Sequence, residues 1–87
     1  MYRVELSQKA QKFLDGLDRY ITDRIKDRLK RLKDNPVPSD AKFIKRDEYG
    51  KIFRYRIGSY RTLYRIKEIE KVILIAKIDK RSRVYDR

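Results

Sequence analysis

Arginine is the residue type through which this sequence could do chemistry, because the C-terminal half concentrates it beside tyrosines. Residues 53–66 read Phe-Arg-Tyr-Arg-Ile-Gly-Ser-Tyr-Arg-Thr-Leu-Tyr-Arg-Ile, and residues 80–85 read Lys-Arg-Ser-Arg-Val-Tyr. A guanidinium group keeps its charge at physiological pH and forms two parallel hydrogen bonds to a phosphate. These segments therefore indicate phosphate binding, or stabilisation of negative charge that develops on a phosphate during a reaction.

Composition excludes most other chemistry. The 87 residues contain no cysteine and no histidine, which excludes disulfides, thiol nucleophiles, imidazole bases and the usual zinc sites. No cofactor is expected. The chain begins without an apolar run of signal-peptide length and nowhere has 18 consecutive apolar residues, which predicts a cytoplasmic protein with no membrane partner.

Positive charge is unevenly distributed along the chain. The formal net charge is +12; residues 1–41 hold 10 basic and 7 acidic side chains, whereas residues 42–87 hold 15 basic and 6 acidic ones. A one-sided positive potential attracts polyanions and raises the rate at which they are encountered. Nucleic acid is therefore the leading partner class.

The first half of the chain predicts a strand followed by two helices. Residues 2–6 alternate between apolar and polar side chains, as in a half-buried strand, and Ser7 is a plausible N-cap for the first helix. The helix breaks near Gly16, Asp18 can cap the second helix, and Asn35-Pro36 ends it. Apolar residues recur at helical spacing, namely Ala10, Phe13, Leu14 and Leu17 in the first helix and Ile21, Ile25, Leu29 and Leu32 in the second.

The second half predicts three or four strands. Lys42–Lys45 is a candidate edge strand, Lys51–Ile57 and Tyr60–Ile66 form a hairpin around the type II′ turn Gly58-Ser59, and Lys71–Ile78 is a central strand with apolar residues at both parities. The expected fold is a single α+β domain over residues 1–87. In it an N-terminal strand precedes an antiparallel two-helix hairpin, which packs on a mainly antiparallel three- to four-stranded sheet.

The two-residue turn sorts the hairpin side chains onto two faces. Ile57 pairs with Tyr60 and Arg56 with Arg61, and the pairing continues along both strands. The face expected to pack on the helices consists of Phe53, Tyr55, Ile57, Tyr60, Thr62, Tyr64 and Ile66. The other face consists of Arg54, Arg56, Arg61, Leu63 and Arg65. Like charges directly opposite one another repel by some tenths of a kcal/mol, so an anion bound there would relieve them.

A basic sheet face that is merely solvated is the alternative interpretation, since many antiparallel sheets leave one side polar. Ordinary solvent-exposed faces mix both signs of charge, whereas no Asp or Glu alternates with the four arginines of this hairpin. The pattern therefore favours a phosphate-binding face.

At these residues the sequence resembles the RelE branch of the RelE/ParE toxin superfamily. The hairpin matches the family's basic strand followed by Tyr-Arg-x-x-Tyr, here Tyr60-Arg61-Thr62-Leu63-Tyr64. Residues 80–85 match its Lys-Arg-x-x-x-Tyr tail. The order and length of the elements also match, so the resemblance covers the whole chain and implies a RelE-like fold.

The resemblance implies a toxin that acts as a ribosome-dependent endoribonuclease, cleaving messenger RNA in the ribosomal A site by attack of a ribose 2′-OH on the adjacent phosphate. By position, Arg61 and Arg81 would stabilise the transition state and Tyr85 would stack on or orient a base; these are the candidate catalytic residues. Arg54 and Arg56 stand where relatives often have lysines. The candidate RNA- and phosphate-binding residues are Arg54, Arg56, Arg65, Lys51, Lys80 and Arg83.

The general base is unassigned. An arginine almost never gives up its proton, so Arg54 cannot serve as a general base. Lys51 or Lys80 could substitute, or the ribosome or a water molecule could supply the base while the protein contributes electrostatic stabilisation.

The resemblance also implies partners besides the ribosome and its messenger RNA. A RelB-like antitoxin with an acidic and apolar segment should wrap the domain, and operator DNA should be bound only through the toxin–antitoxin complex. Two alternatives stay open, a ParE-like inhibitor of DNA gyrase and a noncatalytic basic module that binds RNA or the ribosome.

Overall fold

The computed structural model describes residues 1–80 as two helices and five strands. In chain order these are β1 (Arg3–Leu6), α1 (Gln8–Asp15), α2 (Arg19–Lys30), β2 (Lys42–Asp47), β3 (Gly50–Ile57), β4 (Tyr60–Lys67) and β5 (Val72–Lys80). A short 3-10 turn over Arg31–Lys33 continues α2. Neither helix in this part of the chain has the length and apolar content that crossing a membrane requires.

All five strands belong to one sheet, in the order β1-β5-β4-β3-β2. The pairs β2–β3, β3–β4 and β4–β5 are antiparallel, and β1 is parallel to β5. The predicted α+β fold with a mainly antiparallel sheet is confirmed. The N-terminal strand joins the predicted sheet as its fifth member, and the chain between β1 and β5 provides the long crossover that a parallel pair needs.

Helix boundaries follow the predicted caps in part. Ser7 caps α1, since its Oγ accepts a hydrogen bond from the Ala10 backbone N–H at 3.0 Å, and Gly16 ends that helix. Asp18 occupies the N-cap position of α2, but its side chain makes no capping hydrogen bond, so that part of the prediction is wrong. Regular α-helix ends at Lys30, before the predicted stop at Asn35-Pro36, because the chain tightens into the 3-10 turn.

The β3–β4 hairpin has the predicted register. Ile57 pairs with Tyr60, and Arg56 pairs with Arg61. Gly58 has φ = 59°, the positive value that the first position of a type II′ turn requires. The pairing extends without a bulge to Lys51 and Ile66, so the predicted separation of the two faces is confirmed along the hairpin.

Strand β5 contains a bulge that changes which side chains face the helices. Lys77 pairs with Leu63 and Ile75 pairs with Tyr64, leaving Ala76 as the extra residue. Ser7 accommodates the bulge, since its Oγ donates to the Ala76 carbonyl at 2.8 Å. Because of the bulge, residues of both parities reach the helix-side core, namely Ile73, Ile75 and Ile78. As predicted, β5 is an interior strand, between β1 and β4.

The core lies between the two helices and the hairpin face predicted to be apolar. Its buried members include Ala10, Leu14, Ile25, Leu29 and Leu32 from the helical part and Phe53, Tyr55, Ile57, Tyr64 and Ile66 from the hairpin. The Tyr64 hydroxyl donates to the Pro36 carbonyl at 2.6 Å, and Arg28 Nη2 donates to the Tyr55 hydroxyl at 2.9 Å. Burial, followed by the neighbouring Tyr55 and Asp40, raises the pKa of Tyr64, so this hydroxyl is a structural anchor and not a titrating group.

Candidate functional site

The sheet surface opposite the helices carries a concentration of basic side chains, here called the cationic face. Strand pairing assigns its members, since directly paired residues project to the same side. Its basic members are Arg3, Lys42, Lys45, Arg54, Arg56, Arg61, Arg65, Lys67 and Lys77. Its acidic members are Glu5, Asp47 and Asp79. Among residues 1–80, basic side chains therefore outnumber acidic ones threefold on this surface.

The strongest positive charge on this face lies near the hairpin turn. Arg56 and Arg61 are direct partners, and Arg54 is the next residue along β3 on the same side. The pair beside a turn-closing pair is a non-hydrogen-bonded one, in which the Cα atoms are only about 4.5 Å apart. Arg56 is exposed, and neither Arg54 nor Arg56 forms an ion pair with any residue in the described range 1–80. These two side chains are therefore available to an external anion.

Arg65 has a different environment from the other arginines of the hairpin. Its Nη2 donates to Asp47 Oδ2 at 2.6 Å, and its guanidinium lies 5.7 Å from the Tyr49 ring centroid. The hydrogen bond from the Tyr49 backbone N–H is the largest cause that lowers the pKa of Asp47; desolvation opposes it, and the Arg65 side chain lowers the pKa further. Arg65 therefore links β4 to the β2–β3 turn. Of the four hairpin arginines, it is the least available to a phosphate.

Acidic residues reach the cationic face from strands outside the hairpin. Asp79 on β5 is the direct partner of Arg61, and its Oδ2 lies 3.3 Å from Lys77 Nζ. Glu5 on β1 pairs with Arg3 at 2.9 Å. The hairpin itself carries no acid, as its sequence shows, but the complete face is less uniformly positive than the hairpin alone. The positive region is consequently smaller than the whole cationic face and centres on Arg54, Arg56 and Arg61.

Both of the predicted phosphate-binding lysines lie on the other side of the sheet. Lys51 is the direct partner of the core residue Ile66, and its Nζ is 4.0 Å from Glu68. Lys80 is the direct partner of Tyr60, which also faces the helices. The structure therefore does not bring Lys51 or Lys80 together with Arg54. The helix-side position of Lys51 follows from simple alternation along β3, since Lys51 is two residues from Phe53. The position of Lys80 depends on the bulge in β5, which the sequence does not reveal.

Sequence reasoning missed Arg3 and four lysines that the structure brings onto the cationic face, among them Lys42 and Lys77. Lys42 on β2 is the direct partner of Arg54, and Lys77 on β5 is the direct partner of Leu63. Alternation counted from Ile73 and Ile75 would have placed Lys77 on the helix side, because no local feature of the sequence marks the bulge at Ala76. Alternation counted back from the β2–β3 turn at Asp47 to Gly50 would likewise have placed Lys42 on the helix side, because the register of β2 against β3 shifts between Phe43 and Lys45.

The predicted site residues Arg81, Arg83 and Tyr85 lie outside the described residues, and their roles stay predictions. Within residues 1–80, no group of three or more acidic side chains could hold a metal ion. The chemistry of the described part is therefore that of a preorganised cationic surface, which can bind a polyanion and stabilise negative charge on a phosphate. Its arginines cannot accept a proton.

Comparisons with known proteins assign the chain to a family. A family model described as the ParE toxin of the type II toxin–antitoxin system parDE matches residues 4–85. The RelE1 protein of Methanocaldococcus jannaschii is 31% identical over 85 residues, which are 97% of this chain and 94% of that protein.

Two solved structures share the fold at similar identity. A chain in the crystal structure of the RelE–RelB complex from Pyrococcus horikoshii OT3 is 29% identical, with a TM-score of 0.83 that covers 94% of this chain and 97% of that chain. A chain in the RelBE2 toxin–antitoxin complex from Mycobacterium tuberculosis is 28% identical, with a TM-score of 0.76 that covers 92% and 98%. These matches confirm the resemblance drawn from the hairpin and the C-terminal tail. The chain belongs to the RelE/ParE superfamily of toxins from type II toxin–antitoxin systems, and to its RelE-like branch.

Proposed function

We propose that this RelE-like toxin is a ribosome-dependent endoribonuclease that cleaves messenger RNA in the ribosomal A site and so inhibits translation. The observation that carries the proposal is the grouping of Arg54, Arg56 and Arg61 beside the hairpin turn. Two of these cations lack an ion pair within residues 1–80, and a phosphodiester is the anion whose geometry arginine matches. The cytoplasm is the proposed location, because ribosomes and messenger RNA are there.

In the proposed reaction a ribose 2′ oxygen attacks the adjacent phosphorus while the bond from phosphorus to the 5′ oxygen breaks. The products are a cyclic 2′,3′-phosphate and a free 5′-hydroxyl. Extra negative charge gathers on the phosphate oxygens in the transition state, and Arg61 and Arg81 are the proposed groups that stabilise it. Tyr85 is proposed to stack on or orient the base next to the cleaved bond.

The groups that accept and donate protons in the proposed reaction lie outside this chain. Lys51 and Lys80 face the helices, away from Arg54 and Arg56. Lys77 is on the correct face, but its Nζ is engaged in an ion pair with Asp79 Oδ2 at 3.3 Å. The ribosome or a water molecule is therefore the proposed source of the base and the acid, and cleavage in free solution should be weak.

The proposed protein partner is a RelB-like antitoxin, as in the solved RelE–RelB complexes of Pyrococcus horikoshii and Mycobacterium tuberculosis. An acidic and apolar segment of the antitoxin would complement the cationic face and the grooves beside the helices, folding as it binds. Operator DNA is proposed to be bound only by the complex, through the antitoxin.

The test of this function is the purified chain added to ribosomes that translate a defined message, with breaks mapped by primer extension. Breaks spaced by whole codons are expected, and the same message without ribosomes should stay largely intact. Equal cleavage of the message with and without ribosomes would contradict ribosome dependence. Intact messenger together with salt-sensitive RNA binding would favour a noncatalytic RNA-binding module.

A second candidate function is inhibition of DNA gyrase, which the match to the ParE family model favours. A supercoiling assay on relaxed plasmid, run beside the translation assay, separates the two candidates. Loss of supercoiling with intact messenger would establish the ParE-like function. The identities of 28–31% to RelE proteins make messenger cleavage the first candidate.

Salt dependence tests whether the cationic face binds RNA phosphates. A 2′-O-methyl single-stranded RNA cannot undergo the proposed cleavage and so reports binding alone. Its affinity should fall steeply with salt, and Arg56→Gln should make the slope of log K against log salt concentration shallower by about 0.7. Lys12→Gln, a matched loss of charge on the exposed side of α1, should leave the slope unchanged. A flat salt response of the wild-type chain, measured by fluorescence anisotropy, would contradict phosphate binding.

A further inference from the structure

A second basic site lies on the helix side of the same hairpin turn. A cleft of about 280 Å³ opens between α2 and the turn, with Ile25 and Ile57 among its lining residues. Arg24 lines it from α2, and Lys80 lines it from the end of β5. Since one water molecule takes about 30 Å³ in the liquid, the cleft has room for a phosphate group with its hydration. None of these residues contributes to the cationic face.

Among residues 1–80, the charged side chains that line this cleft are all positive. No acidic residue of this range lines it, and neither Arg24 nor Lys80 forms an ion pair within the range. Two cations that share one cleft repel each other, and an anion between them removes that repulsion. Ser59 and Tyr60 also line the cleft, and their hydroxyls are of the neutral hydrogen-bond donor type that phosphate sites commonly combine with arginine.

Local geometry keeps Arg24 beside the turn. A Cβ atom added to Gly58 would lie only 3.6 Å from Arg24 Nη2, so the guanidinium lies close to the turn backbone. Lys80 is the direct partner of Tyr60, the first residue of β4, which places its Cα at the same end of the hairpin. The two cations therefore approach one turn from two different elements.

The hairpin tip thus carries basic residues on both faces. Arg56 and Arg61 lie on the cationic face, while Arg24 and Lys80 lie on the helix side of the same two-residue turn. Because a sheet is only one backbone layer thick, a nucleic-acid chain that passes the turn can contact both sides through phosphates a few nucleotides apart. A solvated surface does not require basic residues on both faces of one turn.

We propose that the Arg24–Lys80 cleft binds a second RNA phosphate, so that the strand held on the cationic face continues around the tip of the β3–β4 hairpin. This inference rests on the proposed function in taking RNA as the ligand. The cleft is a binding subsite and has no part in the bond-breaking step. Either a messenger or a ribosomal RNA phosphodiester has the required chemistry.

The test compares Arg24→Gln with Arg19→Gln in the full-length chain. Both variants remove one positive charge from α2, but only Arg24 lines the cleft. With single-stranded 2′-O-methyl RNA at about 0.15 M salt, Arg24→Gln should weaken binding about fourfold and make the salt slope shallower by about 0.7, as loss of one phosphate contact requires. Arg19→Gln should change neither quantity. Equal effects of the two variants would overturn the inference, because they would show only a dependence on net charge.

Further experiments identify the ligand and distinguish failure of this inference from failure of the proposed function. In a titration with inorganic phosphate, the amide resonances of Gly58 and Ser59 should shift in the wild-type chain and not in Arg24→Gln. A larger effect of Arg24→Gln on an RNA hairpin than on single-stranded RNA would assign the phosphate to ribosomal RNA, and the reverse would assign it to the messenger. An effect confined to antitoxin binding would overturn the inference. If messenger cleavage fails while the RNA-binding effect persists, the proposed function is wrong and the subsite stands.

Discussion

Arg61→Ala is expected to lower codon-spaced messenger cleavage at least about 100-fold, because one group that stabilises transition-state charge is worth about 3 to 4 kcal/mol. Arg61 is partly buried and lies on the central strand β4, between its direct partners Arg56 on β3 and Asp79 on β5. Ground-state binding of RNA should fall far less than the rate. Single-turnover cleavage on saturated ribosomal complexes, together with RNA affinity, measures the two effects separately.

Two control variants make this prediction specific. Arg3→Ala removes an arginine from the same face on the edge strand β1, where it pairs with Glu5, and should leave cleavage within about twofold of the wild type. Arg61→Lys keeps the charge but loses the bidentate geometry and should recover only part of the rate. Circular dichroism confirms that each variant is folded. Wild-type cleavage by folded Arg61→Ala would remove Arg61 from the catalytic residues.

Local sequence chemistry was sufficient to predict the hairpin that carries the site. Gly58-Ser59 dictates a two-residue turn, the turn dictates the register, and the register dictates that Arg56 faces Arg61. Each step involves residues that are close in sequence, so no distant part of the chain can alter it. The same reasoning placed Ser7 as the cap of α1, since the capping hydroxyl oxygen and the backbone N–H that donates to it are only three residues apart.

Features that depend on distant residues could not be predicted. The β5 bulge at Ala76 is accommodated by Ser7, 69 residues away, and it decides that Lys77 lies on the cationic face. The ion pair of Arg65 with Asp47 joins β4 to β2, which are not neighbours in the sheet. Alternation along the hairpin assigns the side chains of β3 and β4 only. The acidic residues of the cationic face lie on β1, β2 and β5, so the hairpin sequence does not reveal them. Tertiary pairing therefore determined how much of the basic surface is available to RNA.

Gly50→Ala is expected to lower the free energy of unfolding by about 3 kcal/mol. Gly50 begins β3 with φ = 135°, a backbone region that is essentially restricted to glycine and costs other residues about 1 to 3 kcal/mol. A Cβ atom there would also overlap the Ile66 backbone carbonyl on β4, and backbone in the middle of a sheet cannot move aside without breaking strand pairing. For a domain of this size the loss corresponds to a fall in Tm of roughly 12 to 20 °C.

Gly16→Ala is the matched control for this substitution. Gly16 ends α1 with φ = −89°, which alanine adopts readily, and an added Cβ would lie at an ordinary 3.7 Å from the Phe13 carbonyl oxygen. Its Tm should stay within a few degrees of the wild type, since alanine also reduces the conformational entropy of the unfolded chain. Thermal denaturation of both variants, followed by circular dichroism, gives their Tm values. A lower Tm for Gly50→Ala alone would show that backbone strain and overlap at Gly50 cause the loss, and not the replacement of a glycine as such. Equal Tm values for the two variants would show that β3 can begin without the backbone conformation of Gly50. The close approach of β3 to the Ile66 carbonyl on β4 would then not limit stability.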